Sequence, residues 1–284
     1  MKIVIRHGIF SSATKMAKLE AHLRGDFPAA VVDNDSYTWT DSILVNGARL
    51  AKRLTKAAER DARETCVILV GHSMGGLVCR VANCALSDPG FPQHVRANAR
   101  AIGMLDLCEI DELVGLNSSV HVCGIVTLAT PNSGAMTFAQ MHALGALLGL
   151  ALPLNLRSAG IQDLRTDHIF RVLQHCHTDA SCLTISGSHG NRFGTGTART
   201  AVRYLSRWVT NLREPNDMIV EDESVDLSRS ILPHESGLRT EHVRRYVDCT
   251  DVSHTSIHGN PRVLESVSSF IARCIAACGC DNAM

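Results

Sequence analysis

The chain has 284 residues, of which 45% are hydrophobic and 20% are charged, the composition of an ordinary folded domain. Its 28 lysines and arginines balance 28 aspartates and glutamates, so no strong field favours nucleic acid or an anionic membrane. The longest apolar stretch, 143–154, is shorter than the roughly 20 residues of a membrane span. The sequence therefore predicts a single domain over 1–284, with no nucleic-acid partner and no transmembrane segment, and leaves the oligomeric state open.

The eleven cysteines are an odd number, and the first residues do not form a secretory signal. We therefore expect mostly reduced thiols in a cytoplasmic protein, although export without a cleavable signal stays open. Cys176 and Cys182 could bridge a loop, and the run Cys274-x-x-x-Cys278-x-Cys280 could hold a metal. Neither pattern matches a standard zinc spacing, so the sequence predicts no metal site and no cofactor.

Apolar runs alternate with amphipathic stretches along the chain. The predicted strands cover 2–6, 29–32, 66–70, 120–130, 182–188 and 242–249. The predicted helices cover 13–23, a stretch after the capping pair Thr40-Asp41, 77–86, 95–107, and the C-terminal stretch that Pro261 opens. This alternation predicts an α/β fold, with a mostly parallel central sheet flanked by helices.

The segment between two of these strands changes to a helical period. Its centre, 141–156, is strongly apolar, and we predict a helical cap over 135–181. Such a cap is either an apolar lid over an acyl pocket or a helical pair packed on the core. In the first interpretation Met141, Leu144 and Leu148 would line the substrate pocket together with Phe10.

The segment Gly71-His72-Ser73-Met74-Gly75-Gly76 lies between a predicted strand and a predicted helix. In a G-x-S-x-G turn of this kind, the sharp change of direction lifts a serine hydroxyl clear of the sheet. Gly71 and Gly75 stand where a side chain would collide with the neighbouring strand and helix. The motif alone also fits a glycine-rich turn without chemistry, because it is common by chance.

A serine nucleophile needs a base, a carboxylate that orients the base, and donors for the oxyanion. In an open parallel sheet these groups collect beyond the carboxyl ends of the strands. Ser73 follows the third predicted strand, Asp217 comes after the fifth, displaced by a helix and a loop, and His254 follows the last. The order Ser, Asp, His is the one expected for such a sheet.

Five segments in chain order carry recognisable motifs. They are His7-Gly8-Ile9, Gly71–Gly76, Leu128–Gly134 with its Thr130-Pro131 pair, Asn216–Val220, and His254–Ile257 followed by Asn260-Pro261. Together they resemble the α/β-hydrolase fold of the lipase and esterase superfamily, in particular its PGAP1-like and bacterial lipase-like branch. One departure is Met218, where the acid motif of that superfamily usually has glycine.

The resemblance implies a serine esterase or lipase, a carboxylic-ester hydrolase that works through an acyl-enzyme intermediate. Ser73 would be the nucleophile, His254 the general base and then acid, and Asp217 the orienting carboxylate. The backbone amides of Met74 and Ile9 would form the oxyanion hole. The amide of Phe10 is the alternative to that of Ile9.

Several neighbours compete for these roles. His258 competes with His254 for the base; the competitors of Asp217 are Glu214, Glu221 and Asp222. We interpret His72 as a packing residue and His7 as a brace for the oxyanion loop.

The apolar cap favours a small-molecule or lipid-like ester as substrate. The same triad could serve an acyltransferase or a thioesterase instead. A third hypothesis is a binding protein that keeps the α/β-hydrolase fold without turnover.

Overall fold

A computed structural model describes residues 1–102, 119–134, 158–164, 172–174, 179–187, 225, 243–246 and 252–279. The strands are β1 (Lys2–Arg6), β2 (Val31–Asp33), β3 (Cys66–His72), β4 (His121–Leu128), β5 (Ser181–Ile185) and β6 (Val243–Tyr246). The helices are α1 (Ala17–Asp26), α2 (Ile43–Arg60), α3 (Met74–Ser87), α4 (Phe91–Ile102), α5 (Ala159–Asp163) and α6 (Pro261–Cys278). Single 3-10 turns cover Ala13–Met16, Ala62–Glu64 and Ile257–Gly259. None of the described helices is long and apolar enough to cross a membrane.

The six strands form one sheet in the order β2-β1-β3-β4-β5-β6. Every neighbouring pair in it is parallel, which confirms the predicted parallel sheet. The chain runs from β1 to β2 on one side and then continues with β3 on the other side of β1. The loops that leave β1 and β3 therefore diverge, and a crevice forms beyond the carboxyl ends of these two strands.

Side chains of the strands alternate between two apolar layers, as expected for strands with a period of two. In β3, Val67 and Leu69 point into the layer that α2 and α3 cover. Ile68 and Val70 point into the opposite layer, which contains buried residues of α1 and α6. The sheet is thus covered on both faces, which explains why its strands are nearly continuous apolar runs.

Helix α2 begins at Ile43, after the predicted capping pair Thr40-Asp41. Its cap is Ser42, whose Oγ accepts a hydrogen bond from the Leu44 amide at 3.2 Å. Asp163 of α5 reinforces this end of the helix, because its Oδ2 accepts from Ser42 Oγ and from the Ile43 amide, both at 2.7 Å. A carboxylate is favourable at the positive end of a helix, and this one comes from 120 residues away.

Asp163 belongs to the segment predicted as a cap, 135–181. The described residues of that segment lie on the body of the domain: Leu164, Val172 and Leu173 are buried in the same apolar layer as α2, and the Gly160 amide donates to the Thr40 carbonyl at 3.2 Å. The centre of the segment lies outside the described residues, so a lid over the site stays a prediction.

The last helix follows the predicted pattern. Pro261 occupies the first turn of α6, and Asn260 Oδ1 accepts from the Arg262 and Val263 amides. The suggested bridge between Cys176 and Cys182 is wrong, because Cys182 is a buried thiol. Cys84 is disulfide-bonded, an exception to the predicted reduced thiols.

Candidate active site

Ser73 forms the whole turn between β3 and α3. Its backbone has φ 54° and ψ −129°, a region that favours glycine and costs a serine on the order of 1–3 kcal/mol. The surroundings fix this conformation: the Ser73 amide donates to the Leu128 carbonyl at 2.8 Å, and the Gly76 amide donates to the Ser73 carbonyl at 3.0 Å. Helix α3 therefore begins at Met74, three residues before its predicted start.

Two glycines let neighbouring backbone approach this turn. A Cβ atom on Gly75 would collide with the carbonyl oxygens of Arg6 and His7, so α3 packs directly on the end of β1. A Cβ atom on Gly8 would lie 2.8 Å from the Cβ atom of Ser73. The absence of these two side chains brings the loop after β1 against the serine, as the predicted oxyanion loop requires.

The structure brings His254 to the serine. Its Nε2 lies 3.0 Å from Ser73 Oγ, and both residues are about 5% exposed. With Nε2 as the acceptor, the serine hydroxyl donates a hydrogen bond to the ring. The competing His258 does not occupy this position; its ring contacts His72 edge-on, with 5.2 Å between the ring centroids.

His72 supports the backbone of His254. Its Nε2 lies 2.8 Å from the His254 carbonyl oxygen, and because a carbonyl only accepts, Nε2 carries the proton and donates. Burial, followed by the neighbouring His254 and His258, holds the pKa of His72 well below its ordinary value. The ring is therefore neutral. The sequence indicated a packing residue here but not this bond.

His7 braces the loop after β1, as predicted. The Tyr37 amide donates to His7 Nε2 at 3.3 Å, so the ring proton is on Nδ1, which donates to the Gly8 carbonyl at 2.8 Å. The Tyr37 hydroxyl donates to the His7 carbonyl at 2.8 Å, and the two rings stack with centroids 4.4 Å apart. Burial is the main cause that lowers the pKa of His7. Sequence reasoning did not identify Tyr37.

The predicted oxyanion donors lie on two elements that meet at Ser73. Met74 is the first residue of α3, where a backbone amide has no acceptor within the helix. Ile9 and Phe10 follow Gly8, and no hydrogen bond among the described residues uses either amide. Phe10 has φ 52° and is 57% exposed. The centroid of its ring lies 4.6 Å from that of the Trp39 ring.

The turn after β4 packs on α3 beside the Ser73 turn. Asn132 is fully buried, and its Nδ2 donates to the Val225 carbonyl at 2.7 Å. The buried Arg80 of α3 donates to Asn132 Oδ1 at 3.1 Å. Thr130 packs directly on Gly76, where a Cβ atom would meet its Oγ1. The motif in this turn thus joins α3 to residue 225.

The remaining predicted site residues lie outside the described residues. They are the carboxylate Asp217 with its competitors Glu214, Glu221 and Asp222, and the pocket residues Met141, Leu144 and Leu148. Their predicted roles stay predictions.

The family model described as "Putative serine esterase (DUF676)" matches residues 2–164. The match covers more than half of the chain and includes both the loop after β1 and the turn at Ser73. The chain belongs to this family.

Superposition on solved structures identifies the fold of this DUF676 serine esterase family member. The Staphylococcus hyicus lipase superposes with a TM-score of 0.59 at 16% identity, over 97% of this chain and 96% of the other. The mature Bacillus licheniformis lipase BlEst2 gives 0.55 at 19% identity, over 94% and 91%. Lipase 1 from Pelosinus fermentans gives 0.55 at 13% identity, over 96% and 97%. These likenesses confirm the α/β-hydrolase fold. No curated protein sequence matched the chain significantly.

Family membership supports ester hydrolysis for this serine esterase family member. The family match ends at residue 164 and therefore does not include His254. The pairing of His254 with Ser73 is thus an independent observation, which comes from the geometry alone.

Proposed function

We propose that this chain hydrolyses carboxylic esters through an acyl-enzyme intermediate on Ser73. The observation that carries the proposal is the 3.0 Å contact between His254 Nε2 and Ser73 Oγ. The distance is within the hydrogen-bond reach that a nucleophile and its base need. The strained φ of Ser73 supports the same assignment, because strain of this kind concentrates at functional sites.

The first half-reaction follows from this pair. Ser73 Oγ attacks the ester carbonyl carbon while His254 Nε2 takes the hydroxyl proton. The C–O bond to the leaving alcohol then breaks, and His254 returns the proton to that alcohol. Water repeats the sequence on the acyl-serine: His254 takes a proton from the water, the acid leaves, and Ser73 regains its proton.

The negative charge on the carbonyl oxygen needs donors during both attacks. We assign them to the backbone amides of Met74 and Ile9, with Phe10 as the alternative to Ile9. The Met74 amide is at the N-terminus of α3, where the helix dipole favours negative charge. Loss of one such donor typically costs about 3 kcal/mol of transition-state stabilisation.

We assign Asp217 as the carboxylate that orients His254, on the acid motif and its place in the chain. Asp217→Asn is expected to lower kcat by roughly 10⁴-fold, since a wrongly oriented imidazole cannot act as base. Glu221→Gln is the matched control and is expected to keep most of the activity. If the two variants exchange these results, Glu221 is the orienting residue.

The decisive experiment uses p-nitrophenyl esters of increasing acyl length, with a phospholipid alongside. Ser73→Ala and His254→Ala are each expected to lower kcat/KM by roughly 10⁴–10⁶-fold, because the two side chains act as a unit. Ser266→Ala, which changes a serine on the exposed side of α6, is the control. A fluorophosphonate probe should label the wild type and not Ser73→Ala. Unchanged hydrolysis by Ser73→Ala would refute the mechanism.

The acyl series also identifies the substrate class, which we propose is a lipid-like ester. An optimum at long acyl chains, with phospholipid turnover, would support a pocket lined by Met141, Leu144, Leu148 and Phe10. An optimum at short chains would refute that pocket and leave a small-molecule esterase.

A further inference from the structure

The edge of the sheet opposite Ser73 collects cysteines and a histidine from three elements. Cys66 is the first residue of β3, His121 the first of β4, and Cys278 the last of α6. Cys123 follows two residues after His121. None of these side chains is part of the proposed reaction, because the carboxyl ends of the strands are at the other end of the sheet.

A β-bulge explains why the Cys123 side chain lies in this group. The register between β3 and β4 pairs Val67 with Val122 and then Ile68 with Gly124, so Cys123 is an extra residue on β4. Strict alternation back from Ile125, which faces α2 and α3, would put Cys123 on that same face. Cys123 instead lies in the layer of α6. Bulges re-aim side chains in this way.

The distances among His121, Cys123 and Cys278 suit a metal site with sulfur and nitrogen ligands, whereas Cys66 Sγ is about 1 Å closer to Cys123 Sγ than such a site requires. The ligand atoms of His121, Cys123 and Cys278 all lie within 4.8 Å of one another. Cys278 Sγ is 3.8 Å from His121 Nε2, and Cys66 Sγ is 2.8 Å from Cys123 Sγ. In a tetrahedral zinc site, bonds of about 2.0–2.3 Å put neighbouring ligand atoms about 3.5–3.8 Å apart.

We propose that His121, Cys123 and Cys278 bind one zinc ion, with Cys66 as the fourth ligand. Thiolates and an imidazole are the ligands that Zn²⁺ prefers over hard cations such as Mg²⁺. Each thiol that binds releases its proton to solvent, and zinc stays divalent, so the step needs no oxidant or reductant. Cys66 and Cys123 separate by about 1 Å to share the ion, as the tetrahedral spacing requires.

The burial of the ligands suits this assignment. Cys123 is buried, Cys278 half-buried and His121 exposed, so the ion reaches the site from solvent and then binds against the core. Four protein ligands make a closed site, which is typical of structural rather than catalytic zinc. The ion would fasten the end of α6 to the starting edge of β3 and β4. This role is independent of the proposed ester hydrolysis.

Cobalt is the probe, because tetrahedral Co²⁺ thiolate sites absorb visible light. The full chain is stripped with a chelator under a phosphine reductant, then titrated with Co²⁺ and afterwards with Zn²⁺. We expect one Co²⁺ per chain, displacement by Zn²⁺, and a rise in the midpoint of thermal unfolding with either ion. Hydrolysis by the stripped protein should persist, which separates this result from a failure of the proposed function.

Single-ligand variants test which side chains bind. His121→Ala and Cys278→Ser are each expected to weaken Co²⁺ binding at least tenfold, since even indirect disturbance of a metal site costs about 10–100-fold. Cys182→Ala removes a buried thiol of the other layer and should bind like the wild type.

Two results would overturn the proposal. One is a Co²⁺ stoichiometry well below one per chain, or binding that is the same in wild type and in the His121→Ala, Cys278→Ser double variant. The other is a Cys66–Cys123 disulfide in most purified molecules, found by mass spectrometry after alkylation, with no Co²⁺ bound after its reduction.

Discussion

The two edges of the central sheet both combine histidine side chains with irregular backbone, His72 and His254 at one edge and His121 at the other, but they differ in exposure. At the carboxyl edge, His72 and His254 are buried, and Ser73 is held at φ 54° by two backbone hydrogen bonds. At the amino edge, His121 is exposed and Cys278 half-buried. The groups proposed to react are thus held away from water, whereas two of the groups proposed to bind an ion are within reach of solvent.

The largest effect on stability is expected at Gly75, because the backbone at the carboxyl edge leaves no space there for a side chain. In Gly75→Ala the new Cβ would collide with the carbonyl oxygens of Arg6 and His7, and backbone cannot rotate away as a side chain does. We expect the free energy of unfolding to fall by about 3 kcal/mol or more, measured by urea denaturation.

Gly25→Ala is the matched control for this substitution. Nothing lies within 4 Å of a Cβ atom at this exposed position of α1, so alanine should raise the free energy of unfolding by about 0.5–1 kcal/mol. If both variants lost a similar amount of unfolding free energy, the close backbone contact at Gly75 would not explain the cost of a side chain there.

A smaller effect is expected from the neutral histidine behind the base. His72→Phe keeps a ring but removes the Nε2–H that bonds the His254 carbonyl. A buried acceptor without its donor costs about 1–3 kcal/mol. We expect that loss in stability and a fall in kcat larger than any change in KM, because His254 is then less well positioned. His72→Gln, which can donate again, should recover part of kcat.

His72 also makes stability depend on pH. The pKa of His72 in the folded chain lies below the ordinary 6.5. Below pH 6.5 this histidine is therefore protonated in the unfolded chain but still neutral in the folded chain. Stability is therefore full above pH 6.5 and falls with acidification, by up to about 1.4 kcal/mol per pH unit for this group, until the folded pKa is reached. In unfolding curves at pH 7.5, 6.5 and 5.5, His72→Phe should have the shallower slope. Parallel slopes would contradict a buried, neutral ring.

The smallest of these effects is expected at the brace of the oxyanion loop. Tyr37→Phe keeps the stacking on His7 and loses only the hydroxyl that donates to its carbonyl at 2.8 Å. We expect a loss of about 1 kcal/mol in stability, with a lower kcat/KM. Thr65→Val removes an exposed hydrogen bond of the same length and should cost less than about 0.5 kcal/mol. Equal costs would mean that burial adds nothing at Tyr37.

The features that the sequence predicted correctly are those that depend on residues close together along the chain. Alternation of apolar runs and helical stretches located the six strands among the described residues, and the G-x-S-x-G spacing located the turn at Ser73. The spacing from His254 to Pro261 favoured His254 over His258, and the structure has His254 Nε2 3.0 Å from Ser73 Oγ. Each of these signals is local, because a period or a turn is written within a few residues.

What the sequence did not predict depends on residues that are distant along the chain. Asp163 caps α2 across 120 residues, and His72 bonds a carbonyl 182 residues away. The proposed zinc ligands do not follow a spacing rule for the same reason, since Cys278 is the one described cysteine of the C-terminal run that belongs to the group. Two ligands come from β4, where one extra residue changes the face on which Cys123 lies.

The backbone angles of Ser73 carry a cost in stability that glycine would not incur at that position. Glycine adopts φ 54° without the steric cost that any side chain incurs there, so a chain selected only to fold would tend to lose its hydroxyl at 73. Relative to glycine, serine at this position destabilises the folded state by on the order of 1–3 kcal/mol. Under the proposed mechanism, the hydroxyl at 73 is thus kept for chemistry at the expense of stability.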